Sequence, residues 1–184
     1  MNGVKLVISD AHAGLKAAIG AVIQGSSWQR CRVHFMRDAL GLVPKSAQQM
    51  VAATIRTVFA QPDAGAAREQ WRRVADTFRA RYPRLAELLD AAEADVLAYL
   101  AFPAGHWRQI WSNNPLERLN KEVKRRTDVV GIFPNTAAVT RLVGCVLAEQ
   151  HDEWQVARRY FSVGSIAKLS PEEEVGPLPL LAAN

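Results

Sequence analysis

The stretch Val4-Lys5-Leu6-Val7-Ile8-Ser9-Asp10 decides the fold class. Its aliphatic and β-branched residues form a short apolar run suited to a strand, and the run stops at an acid. Directly after it, Ala13-Gly14-Leu15-Lys16-Ala17-Ala18-Ile19 has the alanines and spaced aliphatics of a helix. A second strand is expected at Trp28-Gln29-Arg30-Cys31-Arg32-Val33, reached through Gly25-Ser26-Ser27. Strand, helix and strand in this order predict a parallel pair and an α/β fold. Two strands do not make an independently stable sheet, so further strands are expected upstream.

Beyond this region the pattern changes. From Pro44 to Phe102 three apolar stripes follow one another at helical spacing: Ala47, Val51, Thr54, Ile55 and Val58; Ala67, Trp71, Val74, Ala75 and Phe78; and Leu85, Leu88, Leu89, Ala92, Val96 and Leu100. Gln61-Pro62-Asp63 and Tyr82-Pro83 punctuate them, which predicts an all-helical block of three helices. Asn114-Pro115 then opens a helix expected to run through Arg126, with Asn114 as N-cap. A loop is expected at Val129-Val130-Gly131-Ile132-Phe133-Pro134. A last helix is expected from Thr136 to Gln150, with Val139, Leu142, Val143, Val146 and Leu147 turned inward. The acidic, proline-bearing stretch from Ser170 to Pro177 predicts a poorly ordered tail.

Composition narrows the class of protein. With 184 residues, 49% of them hydrophobic and 22% charged, the chain can bury one ordinary core or a core plus a small helical appendage. No stretch approaches the roughly 18 apolar residues of a membrane span, and Met1 to Lys5 have no signal-peptide pattern, so a cytoplasmic location and no membrane partner are expected. The cysteines, Cys31 and Cys145, are far apart, which points to reduced thiols rather than a disulfide framework. A formal charge of +5 suits a polyanionic partner and is weak support by itself.

Two acids stand out. Asp10 falls at the C-terminal end of the first strand, where open α/β sheets bind ligands and a short acid can reach a metal from a rigid scaffold. It is equally placed to cap the helix that follows. Glu117 falls early in the Asn114 helix, where a capping-box glutamate would also sit. At about 100° per residue, Leu116, Leu119 and Val123 share one face of that helix, while Glu117, Asn120, Lys121 and Lys124 share another. A solvated face has the same composition. Glu122, the competing acid, points toward the flank of the apolar stripe.

Cys31 and His34 form a Cys-x-x-His pair without a second such pair, so a closed zinc site is not expected. A packing or hydrogen-bonding role beneath the acids suits them better, and a core role suits Cys145. Arg118, Lys121, Lys124, Arg125 and Arg126, with Arg30, Arg32 and Arg37 elsewhere, could contact phosphates.

Five motifs in order carry a resemblance: Ile8-Ser9-Asp10-Ala11-His12-Ala13-Gly14-Leu15, Gln29-Arg30-Cys31-Arg32-Val33-His34, Phe102-Pro103-Ala104-Gly105-His106-Trp107-Arg108, the helix from Asn114 to Arg126, and Val130-Gly131-Ile132-Phe133-Pro134-Asn135. From Leu6 to about Trp154 the chain resembles the mutator-type bacterial insertion-sequence transposases, DDE enzymes with a ribonuclease-H-like core. The resemblance implies that Asp10 is the second catalytic aspartate and Glu117 the catalytic glutamate, both ligands of Mg2+ or Mn2+. It makes Cys31 and His34 a supporting signature; on the Asn114 helix, Arg118, Asn120, Lys121, Lys124, Arg125 and Arg126 are the expected DNA contacts.

In this reading residues 1–42 are the first part of a partial ribonuclease-H-like core, 43–102 an all-helical insertion, 103–162 the second part of the core, and 163–184 a flexible tail. The family's first aspartate would lie upstream of Asp10. The chain is therefore expected to be a transposase fragment with little activity alone, its partners being transposon-end and target DNA and, in the complete enzyme, further copies of itself. A non-catalytic DNA-binding or transposase-interacting remnant is the alternative.

Overall fold

The computed structural model describes residues 3–156 together with Gly164. Strands β1 (Leu6–Ser9) and β2 (Ser27–Arg30) pair in parallel, with Leu6 opposite Ser27 and Ser9 opposite Arg30. Helix α1 (Ala13–Val22) is the crossover between them. The α/β pattern read from the sequence is present, in a chain that is otherwise mostly helical. Among the described residues β1 has no strand on its other edge. Beside it lies an open apolar groove walled by Leu6, Ile8, Ile23, Pro115 and Leu116.

Strand β2 is shorter than its alternation predicts. The Cys31 amide donates to Ser9 O at 2.8 Å, but the Arg32 amide turns away to Trp111 O at 2.9 Å. The chain leaves the sheet there, and helix α2 (Arg32–Gly41) starts where strand was expected to continue. Phe35 and Ala39, four residues apart and both fully buried, give that helix its inward face.

Gln29 fixes the sheet to the helices. Its side chain is fully buried, yet every hydrogen-bonding atom is used. The amide nitrogen donates to Arg30 O and Val96 O, both at 2.7 Å, and the amide oxygen accepts from the Tyr99 N–H at 2.8 Å. A buried amide satisfied in this way stabilises one arrangement, because any shift leaves polar groups unpaired.

The three helices expected between Pro44 and Phe102 are α3 (Lys45–Val58), α4 (Ala64–Arg79) and α5 (Pro83–Val96). Asp63 caps α4 by accepting from the Ala66 N–H at 2.9 Å, and Pro83 occupies the first turn of α5. Their facing stripes hold the main core. Trp71, Ile55, Leu85, Leu89 and Val96 are fully buried, and the Trp71 indole N–H donates to Leu89 O at 2.9 Å. Burying side chains of this size contributes roughly 1.5 to 3 kcal/mol each. Phe35 of α2 packs against Trp71 with ring centres 5.3 Å apart, so this core takes in α2.

Two short 3-10 turns (Ala98–Ala101 and Ala104–His106) and α6 (Trp107–Ile110) lead to α7 (Asn114–Val130) and α8 (Thr136–Val156). Helix α7 runs four residues past Arg126, so Val129 and Val130 are helical rather than part of a loop. β-branched valines lower helix propensity only slightly, whereas Gly131, at φ +74°, adopts a conformation that ends the helix. Helix α8 likewise continues past Gln150.

On α8, Val146 is buried and Val139, Leu142 and Val143 are half-buried, but Leu147 and Cys145 are exposed. The core role expected for Cys145 is therefore not found, because α8 is covered along only a narrow stripe. The tail expected at 163–184 lies, apart from Gly164, outside the described residues. Among the described residues no helix is long and apolar enough to cross a membrane.

Candidate active site

Asp10 directly follows the last residue of β1 and is exposed. The backbone there is held by Ser9, whose hydroxyl donates to Asp10 O at 3.0 Å and accepts from the Trp28 indole N–H at 2.8 Å. The Asp10 carboxylate accepts from the Ala11 N–H at 2.7 Å. Asp10 is not the cap of α1. That place belongs to His12, whose Nδ1 accepts from the Leu15 N–H at 3.4 Å. The capping explanation for Asp10 is removed, and its charge is left facing solvent at the C-terminal end of the sheet.

The same end of the sheet carries Cys31 and His34. Cys31 is fully buried and unbridged. Its amide is tied to Ser9 O, and its carbonyl accepts from the Phe35 N–H at 3.0 Å. The turn so formed puts His34 in the first turn of α2. From there His34 Nε2 lies 3.1 Å from Glu117 Oε1, with side-chain exposures of 16% and 39%. The other ring nitrogen, Nδ1, is buried and has no hydrogen-bond partner.

Glu117 stands one position later in its helix than the sequence suggests. Asn113, not Asn114, is the N-cap, and it makes no side-chain capping bond. Glu117 is then the fourth helical residue, with its N–H bonded to Asn113 O at 3.1 Å. A capping-box acid sits at the third position and reaches back to the cap, so Glu117 is not engaged as one. Its carboxylate turns to His34 instead.

Glu122 has a different fate. Arg125 and Arg126 reach it at 2.7 and 2.8 Å, and Arg126 also reaches Glu149 of α8 at 3.2 Å. Hydrogen bonds from Arg125 and Arg126 pull the Glu122 carboxyl down to about 2. Arg126, shared between Glu122 and Glu149, ties α7 to α8.

The basic residues divide accordingly. Arg118, Asn120, Lys121 and Lys124 are exposed, and the three cations among them have no ion-pair partner within the described residues. Arg125 and Arg126 are engaged with Glu122, which weakens their expected part as phosphate ligands. Arg30 and Arg32 are engaged within the protein. Arg30 pairs with Asp38 at 2.8 Å and is largely buried. Arg32 is held between Trp111, 3.8 Å from its ring centre, and Phe59, at 4.4 Å. Burial lowers the Arg32 pKa from arginine's ordinary value, partly offset by Tyr99, whose own phenol burial pushes up to about 12.

The structure thus joins Glu117 to His34, and sets both at the sheet end that carries Asp10. Among the described residues no three His, Cys, Asp or Glu side chains gather into a group that could hold a metal ion, Asp10 with His34 and Glu117 included. The donors present are nonetheless of the right kind for a hard divalent cation, because both are carboxylates with oxygen left over from their protein contacts.

Gln29, Arg32 and Trp111 were not singled out as supports of this site. Arg32 and Gln29 lie inside the Gln29-to-His34 motif, and Trp111 precedes the Asn114 helix, so the signal was their place beside the candidate residues.

Comparison with known proteins bears on the same segment. The Mutator-family transposase model matches residues 1–157. The chain is 53% identical over 163 residues to the transposase for insertion sequence element IS1081 of Mycobacterium tuberculosis, covering 89% of this chain and 39% of that protein. It is 39% identical over 166 residues to the transposase for ISRM5 of Rhizobium meliloti, covering 90% of this chain and 42% of that one. It is 37% identical over 163 residues to the transposase for IS256 in transposon Tn4001 of Staphylococcus aureus, covering 88% and 42%. The chain spans about two fifths of the length of these relatives. By the extent of these matches, the chain belongs to the Mutator family of transposases.

Proposed function

We propose that the chain supplies two of the carboxylates and part of the DNA-binding surface of a transposase that cuts and joins DNA strands with divalent metal ions, on a ribonuclease-H-like core. The observation that carries this reading is the placement of Glu117. It is drawn out of a capping role and held 3.1 Å from His34, at the sheet end where Asp10 is exposed.

Asp10 and Glu117 would hold Mg2+ or Mn2+, which when bound would polarise a phosphodiester and activate the attacking oxygen. Asp10 offers its charge from a backbone pinned by Ser9 and Trp28, and so at a position that does not wander. Glu117 offers an oxygen from a helix that also presents Arg118, Lys121 and Lys124. Those cations would neutralise the strand that the site must approach. Asn120 would add a neutral hydrogen-bonding contact on the same face.

With two carboxylates rather than a group of three, the chain by itself would bind such ions weakly and cut DNA little or not at all. The experiment is a nicking assay on supercoiled and transposon-end DNA with Mg2+ or Mn2+. The expected result is at most a trace of cleavage from this chain; robust nicking lost in both Asp10→Ala and Glu117→Ala would overturn the inactivity and keep the site. Cleavage unaffected by both substitutions would overturn the site.

A second reading is favoured by the cations on α7 that have no ion-pair partner among the described residues. The chain would bind DNA, or an intact transposase, without catalysis. Salt-dependent DNA binding that survives Asp10→Ala would support it, and no binding at low salt would count against it.

A further inference from the structure

We propose that His34 is the positioning residue for Glu117, its Nε2 set 3.1 Å from one carboxylate oxygen so that the other is left for the cation; the inference rests on the proposed function above. Glu117 sits on a helix with little to hold it, since Leu119 is the one buried residue of α7. A glutamate that is 39% exposed can turn through several side-chain conformers, and packing does not choose among them. The imidazole can.

His34 is itself well held. Its side chain is 16% exposed, and it stands in the first turn of α2 beside a backbone fixed at Cys31. The buried, partnerless Nδ1 decides its tautomer. A hydrogen on Nδ1 would be a buried donor without an acceptor, which folded proteins avoid more strictly than an unused acceptor. A neutral imidazole would therefore carry its hydrogen on Nε2, the nitrogen 3.1 Å from Glu117 Oε1. The short segment from Cys31 to His34 then registers both acids: its first amide is bonded to the strand that carries Asp10, and its imidazole faces Glu117. Partners of this kind, which hold a ligand rather than the metal, commonly change metal affinity by about 10- to 100-fold when removed.

The test has two arms, both on the 184-residue chain. In the first, long-range proton–nitrogen correlation spectra of histidine-labelled protein are recorded for the wild type and Glu117→Gln. The proposal expects His34 as the Nε2–H tautomer, with its Nε2 signal moved in the variant while those of His12 and His151 stay in place. A hydrogen on Nδ1, or a His34 signal indifferent to Glu117→Gln, overturns the proposal.

In the second arm, Mn2+ affinity is read from water-proton relaxation. His34→Ala is expected to weaken binding about tenfold. His34→Gln, whose amide nitrogen reaches the position of Nε2, restores most of the loss, and His34→Asn does not. Thermal unfolding of the three variants separates misfolding from mispositioning, since all three remove the imidazole and only Gln should recover the metal. Equal losses in the three overturn the proposal. A wild type that binds no Mn2+ overturns the metal reading, and leaves His34 to be decided by the first arm.

Discussion

Arg32 lies with its guanidinium carbon 3.8 Å from the centre of the Trp111 ring, and its backbone amide donates to the carbonyl of the same tryptophan at 2.9 Å. Trp111 stands just ahead of α7, so this double attachment sets where the helix carrying Glu117 begins. A lysine keeps the charge but loses the flat, weakly hydrated group that fits between Trp111 and Phe59. Arg32→Lys should cost about 1 to 2 kcal/mol and Arg32→Ala about 2 to 3 kcal/mol in urea unfolding. A fully stable lysine variant would show that the stack does not hold the helix.

Gln29 gives a second expectation. Gln29→Leu keeps the bulk but leaves the Tyr99 amide and the Val96 carbonyl buried without their partner. The loss should be about 2 to 4 kcal/mol by the same measurement. Because Tyr99 packs edge-on against Trp107 and Trp111, at 5.7 and 6.0 Å, the damage should also reach the tryptophan fluorescence.

Glu122 makes α7 sensitive to acid through its pairs with Arg125 and Arg126. Its carboxyl is held at about 2 against an ordinary value of 4.5, so in the folded chain it stays ionised where an unfolded chain would be protonated. The stabilisation is complete above the unfolded value and is lost as pH falls from about 4.5 toward about 2. Thermal midpoints of wild type and Glu122→Gln should therefore differ at neutral pH and converge near pH 2. A gap that stays constant over this range would refute the linkage.

For nucleic acid, the cations of α7 should behave as two classes. Lys121→Ala and Lys124→Ala should each weaken DNA binding at all sequences and lower the salt dependence of log K by about 1. Arg125→Ala should change binding less and stability more, since Arg125 is already paired with Glu122. Fluorescence-anisotropy titrations at several salt concentrations, beside unfolding curves, separate the two. Equal binding losses in all three would mean that the Glu122 pairs open when DNA arrives.

How much of this was legible beforehand follows from where the determining forces act. The strand ending at Asp10 and the stripes built on Val51, Trp71 and Leu89 are local patterns, and they were readable from spacing alone. The end of β2 was not, because it is set by the Arg32 amide turning to Trp111, a residue far along the chain. Helix α2 had a signal in the four-residue step from Phe35 to Ala39, masked by the alternation just before it.

At the candidate site, position raised Asp10 and Glu117 as candidates and the family resemblance preferred Glu117 to Glu122, but the partner of Glu117 could not be read. His34 and Glu117 meet only after the helical block has closed between them. The capping roles misled for a related reason. His12 took the cap left open for Asp10 and Asn113 the one expected of Asn114, a shift of one or two residues that local pattern does not resolve.

The central claim is that Asp10 and Glu117 serve one divalent cation site. Paramagnetic broadening of amide signals by Mn2+ tests it most directly. The expected result is joint broadening around Ser9 to Ala11 and around Glu117, abolished at both places by either Asp10→Asn or Glu117→Gln. Broadening that each substitution removes only at its own position would mean two separate weak sites, and would contradict the account.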